Sequence, residues 1–119
     1  MTLTVTKIYD YGCTICEFMG TFDGKVIFDL EPKTDIKAVA LGVILDPNNE
    51  NPFECLIAQY AERYACNADY TIDLPVYILT QGKKYIGHIS GEHTQVELRT
   101  KLQELVTNAT NSEGERRAT

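Results

Sequence analysis

The sequence predicts one α/β domain in the order βαβαββα, with four strands in a mixed sheet and helices on both faces. Three observations predict it. A β-rich opening stretch, residues 3–9, gives way at a glycine turn to a segment with helical spacing. A continuous apolar run, residues 39–45, has the look of a strand buried on both faces, as in parallel sheets. Two further β-rich runs on either side of Gln81-Gly82 read as an antiparallel hairpin, and a capped amphipathic helix follows them.

The elements follow in order. Leu3, Val5, Ile8 and Tyr9 lie among β-branched Thr residues and form the first strand, which ends at the turn Asp10-Tyr11-Gly12. Ile15, Met19, Phe22, Val26 and Leu30 then recur at helical spacing. Gly20 and Gly24 weaken that helix by up to ~1 kcal/mol each relative to Ala. Asp23-Gly24 followed by Lys25-Val26-Ile27-Phe28 also fits a hairpin turn and strand, and a helix broken near Gly24 is the reading preferred. The run 39–45 stops at Asp46-Pro47. Asn51 caps the next helix, Pro52 takes its first position, and Phe53, Leu56, Ile57, Tyr60, Ala61 and Tyr64 form its apolar stripe. Leu74-Pro75 leads into a strand at 76–80, and a second strand covers 84–89. Thr94 and Glu97 make a capping box for the last helix, whose core face is Leu98, Leu102, Leu105 and Val106. From Asn108 to Arg117 nothing apolar exceeds Ala, so a domain over 1–106 and a disordered tail over 107–119 are expected.

Composition narrows the function. A chain of 119 residues, 44% hydrophobic and 24% charged, suits one globular domain. The net charge of −6 and pI near 4.8 argue against a nucleic-acid binder and against adhesion to an anionic membrane. No apolar run approaches the ~20 residues that span a bilayer. The first residues show no basic segment followed by an apolar stretch, so a cytoplasmic location is expected. In that reducing compartment Cys13, Cys16, Cys55 and Cys66 point to catalytic, metal-binding or buried thiols and not to a disulfide framework.

The chemistry centres on Cys13-Thr14-Ile15-Cys16, directly after a strand and at the expected start of a helix. Cysteines three apart in a first helical turn share a side and can close a small disulfide ring. Free N–H groups and the helix dipole lower the pKa of the first thiol, and the thiolate is the attacking species in exchange. Cys13 is therefore the expected attacker and Cys16 the thiol that resolves the mixed disulfide. A zinc site using all four cysteines is the rival. Cys55 and Cys66 fall ~16 Å apart along a continuous helix, too far to complete one tetrahedral site. They are read as small buried hydrophobes, and His88 and His93 as solvated or core-satisfied histidines. No cofactor and no metal are expected.

The strand–turn–CxxC–helix arrangement resembles thioredoxins and glutaredoxins. Asp46-Pro47-Asn48-Asn49-Glu50-Asn51-Pro52 looks like the family's segment after its central strand, Asp73-Leu74-Pro75-Val76-Tyr77-Ile78-Leu79 like its cis-proline strand, and residues 80–91 like its closing hairpin. The resemblance covers about Leu3 to Val106. It implies a thioredoxin-like fold, a cis Pro75 beside the disulfide, and a Leu74 backbone offered to a substrate peptide. From the residues themselves, Tyr9 and Tyr11 flank the CxxC turn as an aromatic rim for a protein substrate, and Tyr11 and Gly12 are expected to touch that substrate. The resemblance also implies protein disulfides as substrates and a thioredoxin-reductase-type or other thiol reductant as partner. The departures are Gly12 where thioredoxins usually have Trp, Thr14-Ile15 in place of Gly-Pro, and Lys7 near the family's buried acid, with Asp10 the nearest candidate to replace it. No basic residue adjoins Cys13 to hold glutathione's carboxylates, although the layout is closer to the shorter glutaredoxin core. Two functions follow: a thiol–disulfide oxidoreductase, or a thioredoxin-fold binding or redox-sensing module with little catalytic activity.

Overall fold

The computed structural model describes residues 2–118, with side chains described as far as Thr110. Strand β1 (Leu3–Tyr9) is followed by helices α1 (Thr14–Gly20) and α2 (Asp23–Phe28), strand β2 (Thr34–Ala40) and a short helix α3 (Leu41–Ile44). Helix α4 (Pro52–Tyr60) runs into a π-helical turn, Ala61–Ala65, before strands β3 (Val76–Gln81) and β4 (Lys84–Ser90) and helix α5 (Gln95–Ala118).

The sheet order is β2-β1-β3-β4, with β1 parallel to β2 and antiparallel to β3, and β3 antiparallel to β4. Side chains alternate between the faces of a strand, so each face builds its own core. Leu3, Val5, Tyr77 and Leu79 pack with Met19, Val26, Ile27, Leu98, Leu102 and Val106, on the side of α1, α2 and α5. Ile8, Val39, Val76 and Ile78 pack with Ile44, Ile57, Ala61 and Ala65, on the side of α3, α4 and the π-turn. The mixed sheet covered on both faces is the predicted architecture.

Local signals place the element starts. The Asn51 side chain accepts the Glu54 N–H at 3.0 Å, with Pro52 in the first turn, which fixes the start of α4. Thr94 and Glu97 close their capping box with bonds of 3.0 and 3.2 Å. Between Ile15 and Leu30 the chain is helical in two pieces, and the break falls at Thr21-Phe22, ahead of Gly24. Gly87 lets α5 approach the sheet closely: a Cβ there would lie 2.7 Å from Leu105 Cδ2.

One strand is a correction. The apolar run 39–45 is not a central strand, because only Val39 and Ala40 belong to β2 and Leu41–Ile44 is helical. The parallel partner β1 ends where Tyr9 meets Ala40, so the run loses its ladder there and turns into helix. β2 lies at the sheet edge, and its polar first half, outside the predicted strand, is exposed. Beyond Val106, where the sequence reading ends the domain, the backbone remains helical to Ala118, and the Thr110 hydroxyl donates to the Val106 carbonyl at 2.9 Å.

Candidate active site

β1 delivers the chain to the turn Asp10-Tyr11-Gly12, where Cys13 N–H donates to the Asp10 carbonyl at 3.3 Å. Gly12 has φ +82°, a left-handed conformation that side-chain-bearing residues rarely take, so the chain can leave the strand and enter α1 within one turn. Cys13 is the N-cap of α1, with extended backbone, and its Sγ accepts the Cys16 N–H at 3.1 Å. The two cysteines are joined as a disulfide with Cα atoms 5.2 Å apart. Cys13 is half-buried and Cys16 is buried, so the sulfurs are unequal: the first can be reached from outside and the second is covered. An N–H aimed at the Cys13 sulfur is the arrangement that favours a thiolate there once the bond is opened.

A polar network lies beneath this turn. Lys7 points from β1 toward α1 and α2, its Nζ 2.5 Å from Asp23 Oδ2 at the start of α2. The same carboxylate oxygen accepts the Tyr77 hydroxyl at 2.8 Å, and Lys7 also donates to the Cys16 carbonyl at 3.3 Å. Lys7 and Tyr77 are directly paired across β1 and β3, which is why both reach Asp23 from one face. Burial, and then the bond to the Asp23 carboxylate, hold the Tyr77 hydroxyl far above its ordinary pKa, so it stays protonated and donates. A cleft of about 210 Å³ opens over the network, lined by Lys7, Tyr9, Asp10, Tyr11, Gly12 and Cys16 among others.

The remaining sequence-predicted residues gather at the same end of the sheet or close to it. The Leu74–Pro75 peptide bond is cis, as is Glu31–Pro32. Pro75 is buried and sits one residue beyond the Val76–Ile8 pair, at the end of β1 that carries the CxxC turn. Its carbonyl accepts the Gly91 N–H at 3.1 Å. Leu74 packs against the core on the α4 side. Tyr11 is 82% exposed and meets Tyr9 edge-on, ring centroids 5.8 Å apart, leaving an aromatic surface beside Cys13.

No protein-family model and no curated protein sequence matches this chain. Solved structures do. The periplasmic thioredoxin SoxS of Paracoccus pantotrophus, in its reduced form, superposes with a TM-score of 0.62 at 16% identity, over 90% of this chain and 98% of that one. A thioredoxin of Fasciola hepatica gives a TM-score of 0.56 at 19% identity, over 90% of this chain and 80% of that one. A structure described as a malarial protein gives 0.56 at 18% identity, over 91% and 97%. This chain has a thioredoxin-like fold.

On that fold, sequence reasoning missed Asp23 and Tyr77. Asp10, the candidate offered for the family's buried acid, is exposed and accepts the Tyr11 N–H at 2.9 Å, while the carboxylate buried against Lys7 is that of Asp23. The available signal was Lys7 itself, a cation in mid-strand between Val5 and Ile8 that had to find a buried anion. Cys55 and Cys66 are free and half-buried, the former donating to the Asn49 carbonyl at 3.3 Å. Among the described residues no group of His, Cys, Asp and Glu is arranged to hold a metal, and no helix is long and apolar enough to cross a membrane.

Proposed function

We propose that this thioredoxin-like chain is a thiol–disulfide oxidoreductase that exchanges disulfides with protein substrates through Cys13 and Cys16. The observation that carries the reading is the inequality of the pair. Cys13 is reachable and capped by the Cys16 N–H at 3.1 Å, while Cys16 is buried directly behind it. In the reduced enzyme the Cys13 thiolate attacks one sulfur of the substrate disulfide, and the other sulfur leaves as a thiolate that takes up a proton. Cys16, deprotonated, then attacks Cys13 Sγ, which forms the Cys13–Cys16 bond and releases the second substrate thiolate. The substrate gains two electrons and the enzyme loses two. A thioredoxin-reductase-type or other thiol reductant restores the dithiol.

Tyr11 and Gly12 on one side and Leu74 and Pro75 on the other are the surface we assign to an extended substrate segment. Pro75 has no N–H and its carbonyl is already taken by the Gly91 N–H, so the backbone groups we assign to the substrate are those of Leu74. A cytoplasmic site of action is part of the same proposal, and there the reducing thiol pool would keep Cys55 and Cys66 as thiols.

Insulin reduction driven by dithiothreitol tests the reading. The wild-type chain is expected to accelerate precipitation of the insulin B chain, and Cys13→Ser/Cys16→Ser to lose that acceleration. Turnover unchanged in the double variant ends the proposal. The rate of Cys13 alkylation against pH separates an enzyme from a redox-sensing module, since a thiol pKa at or above about 8.5 marks an unactivated cysteine.

A further inference from the structure

β2 is the outermost strand of the sheet, paired with β1 on one side and with no other strand among the described residues. Such an edge presents a row of N–H and C=O groups that another strand can take up. Asp35, Ile36, Lys37 and Ala38 are all exposed, Ile36 by 47% despite being a large apolar residue. Alternation sets Asp35 and Lys37 on the face of Val39, the α4 side, and Ile36 on the opposite face.

We propose that β2 is a homodimerisation edge, with two copies pairing β2 antiparallel about a two-fold axis that runs between the strands at the level of Ile36. Such an axis stands perpendicular to the sheet and keeps each face continuous, so opposed residues must share a face and the axis must lie level with a residue. Charge then selects which one. An axis level with Asp35 sets Asp35 against its own copy, and one level with Lys37 sets Lys37 against its own copy. The axis level with Ile36 sets Asp35 opposite Lys37 twice and Ile36 against Ile36. Opposite charges directly across a strand pair are stabilising and like charges destabilising, so the segment is complementary to itself in that register. Asp35 has no ion-pair partner among the described residues. Lys37 lies over the Phe53 ring, 4.1 Å from its centroid, which holds its ammonium on the α4 face. The other sheet edge, β4, carries Lys84 and no acidic residue to answer it, so the same complementarity is missing there.

The pairing makes one continuous eight-stranded sheet from two four-stranded ones. Because β1 is parallel to β2, the two-fold axis sends the two CxxC turns to opposite ends of the assembly, where both remain open. This inference is independent of the thiol chemistry.

Sedimentation equilibrium from ~10 µM to ~1 mM tests it, the range suited to a single strand pair burying less than ~1,200 Å². The wild-type mass is expected to rise with concentration from 13.4 kDa toward twice that value. Asp35→Lys and Lys37→Asp each turn two attractive pairs into repulsive ones and should weaken association by about tenfold or more. An equimolar mixture of the two variants places Lys opposite Asp at both positions and should restore association, as should the double variant Asp35→Lys/Lys37→Asp. Restoration in the mixture also shows that each single variant is folded, and far-UV circular dichroism gives the same check. A wild-type chain monomeric throughout, single variants that associate like wild type, or a mixture that stays monomeric overturns the proposal.

Discussion

Replacing Asp23 by Leu should cost this protein more than any surface charge can explain. The Lys7 and Asp23 side chains are 15% and 11% exposed, which places their ion pair in the buried regime. Removing one partner of such a pair leaves the other charge desolvated, at about 3–5 kcal/mol. Here the loss also strips the acceptor from the Tyr77 hydroxyl, which is buried with it. Lys7→Met should cost somewhat less, because Tyr77 still donates to the remaining carboxylate. The combined Lys7→Met/Asp23→Leu/Tyr77→Phe variant removes every polar member at once and should return to within about 2 kcal/mol of wild type, since an apolar replacement of similar volume is often nearly neutral. Guanidinium unfolding of the four proteins, followed by circular dichroism, gives the comparison. Costs below about 1 kcal/mol for either single variant would refute the buried-pair reasoning. So would single costs that simply add in the combined variant, within the ~0.5 kcal/mol expected of independent sites.

Other expectations follow from separate parts of the molecule. Burial lowers the His88 pKa, so the folded state prefers the neutral ring; its contribution is intact above the ordinary value of about 6.5 and is lost as pH falls through the lowered folded value. Thermal midpoints measured between pH 7.5 and pH 5 (about the working range of the histidine side chain) should fall with acidification, and His88→Gln should flatten the slope; an unchanged slope would assign it to other groups. We also propose that residues 107–119 are dispensable to the domain: a chain ending at Val106 should lose less than about 1 kcal/mol, and a fall in midpoint beyond ~8 °C would place those turns within the cooperative fold.

What was legible in the sequence was written in local chemistry. Strand Leu3–Tyr9, the Asn51 cap, the Thr94–Glu97 box and the hairpin each declare themselves through a few adjacent residues. The placement of Cys13 and Cys16 at a strand-to-helix turn was legible for the same reason. β2 was not, because an apolar run fixes neither burial nor pairing: Leu41–Ile44 is apolar yet helical with Val43 exposed, whereas Asp35-Ile36-Lys37, with charges on both sides of the isoleucine, is in the sheet. The Lys7–Asp23–Tyr77 network was also hidden, since Tyr77 lies 54 residues from Asp23 and only the β1–β3 register brings it there. An isolated mid-strand lysine announces that a counter-charge exists without saying where it comes from.

The contact of Gly87 with α5 carries a consequence for how this sequence can drift. With a Cβ at 87 only 2.7 Å from Leu105 Cδ2, the two positions draw on a single volume, and the glycine cedes all of it to the leucine. A larger residue at 87 is then tolerated where the half-buried Leu105 side chain turns aside or is replaced by a smaller one, and otherwise lifts α5 and unseats the fully buried Leu98 and Leu102. The two sites are thermodynamically one character in the history of the chain. Substitutions at them should be gained together or in quick succession, and a distant relative is better recognised by the sum of their sizes than by the identity of either.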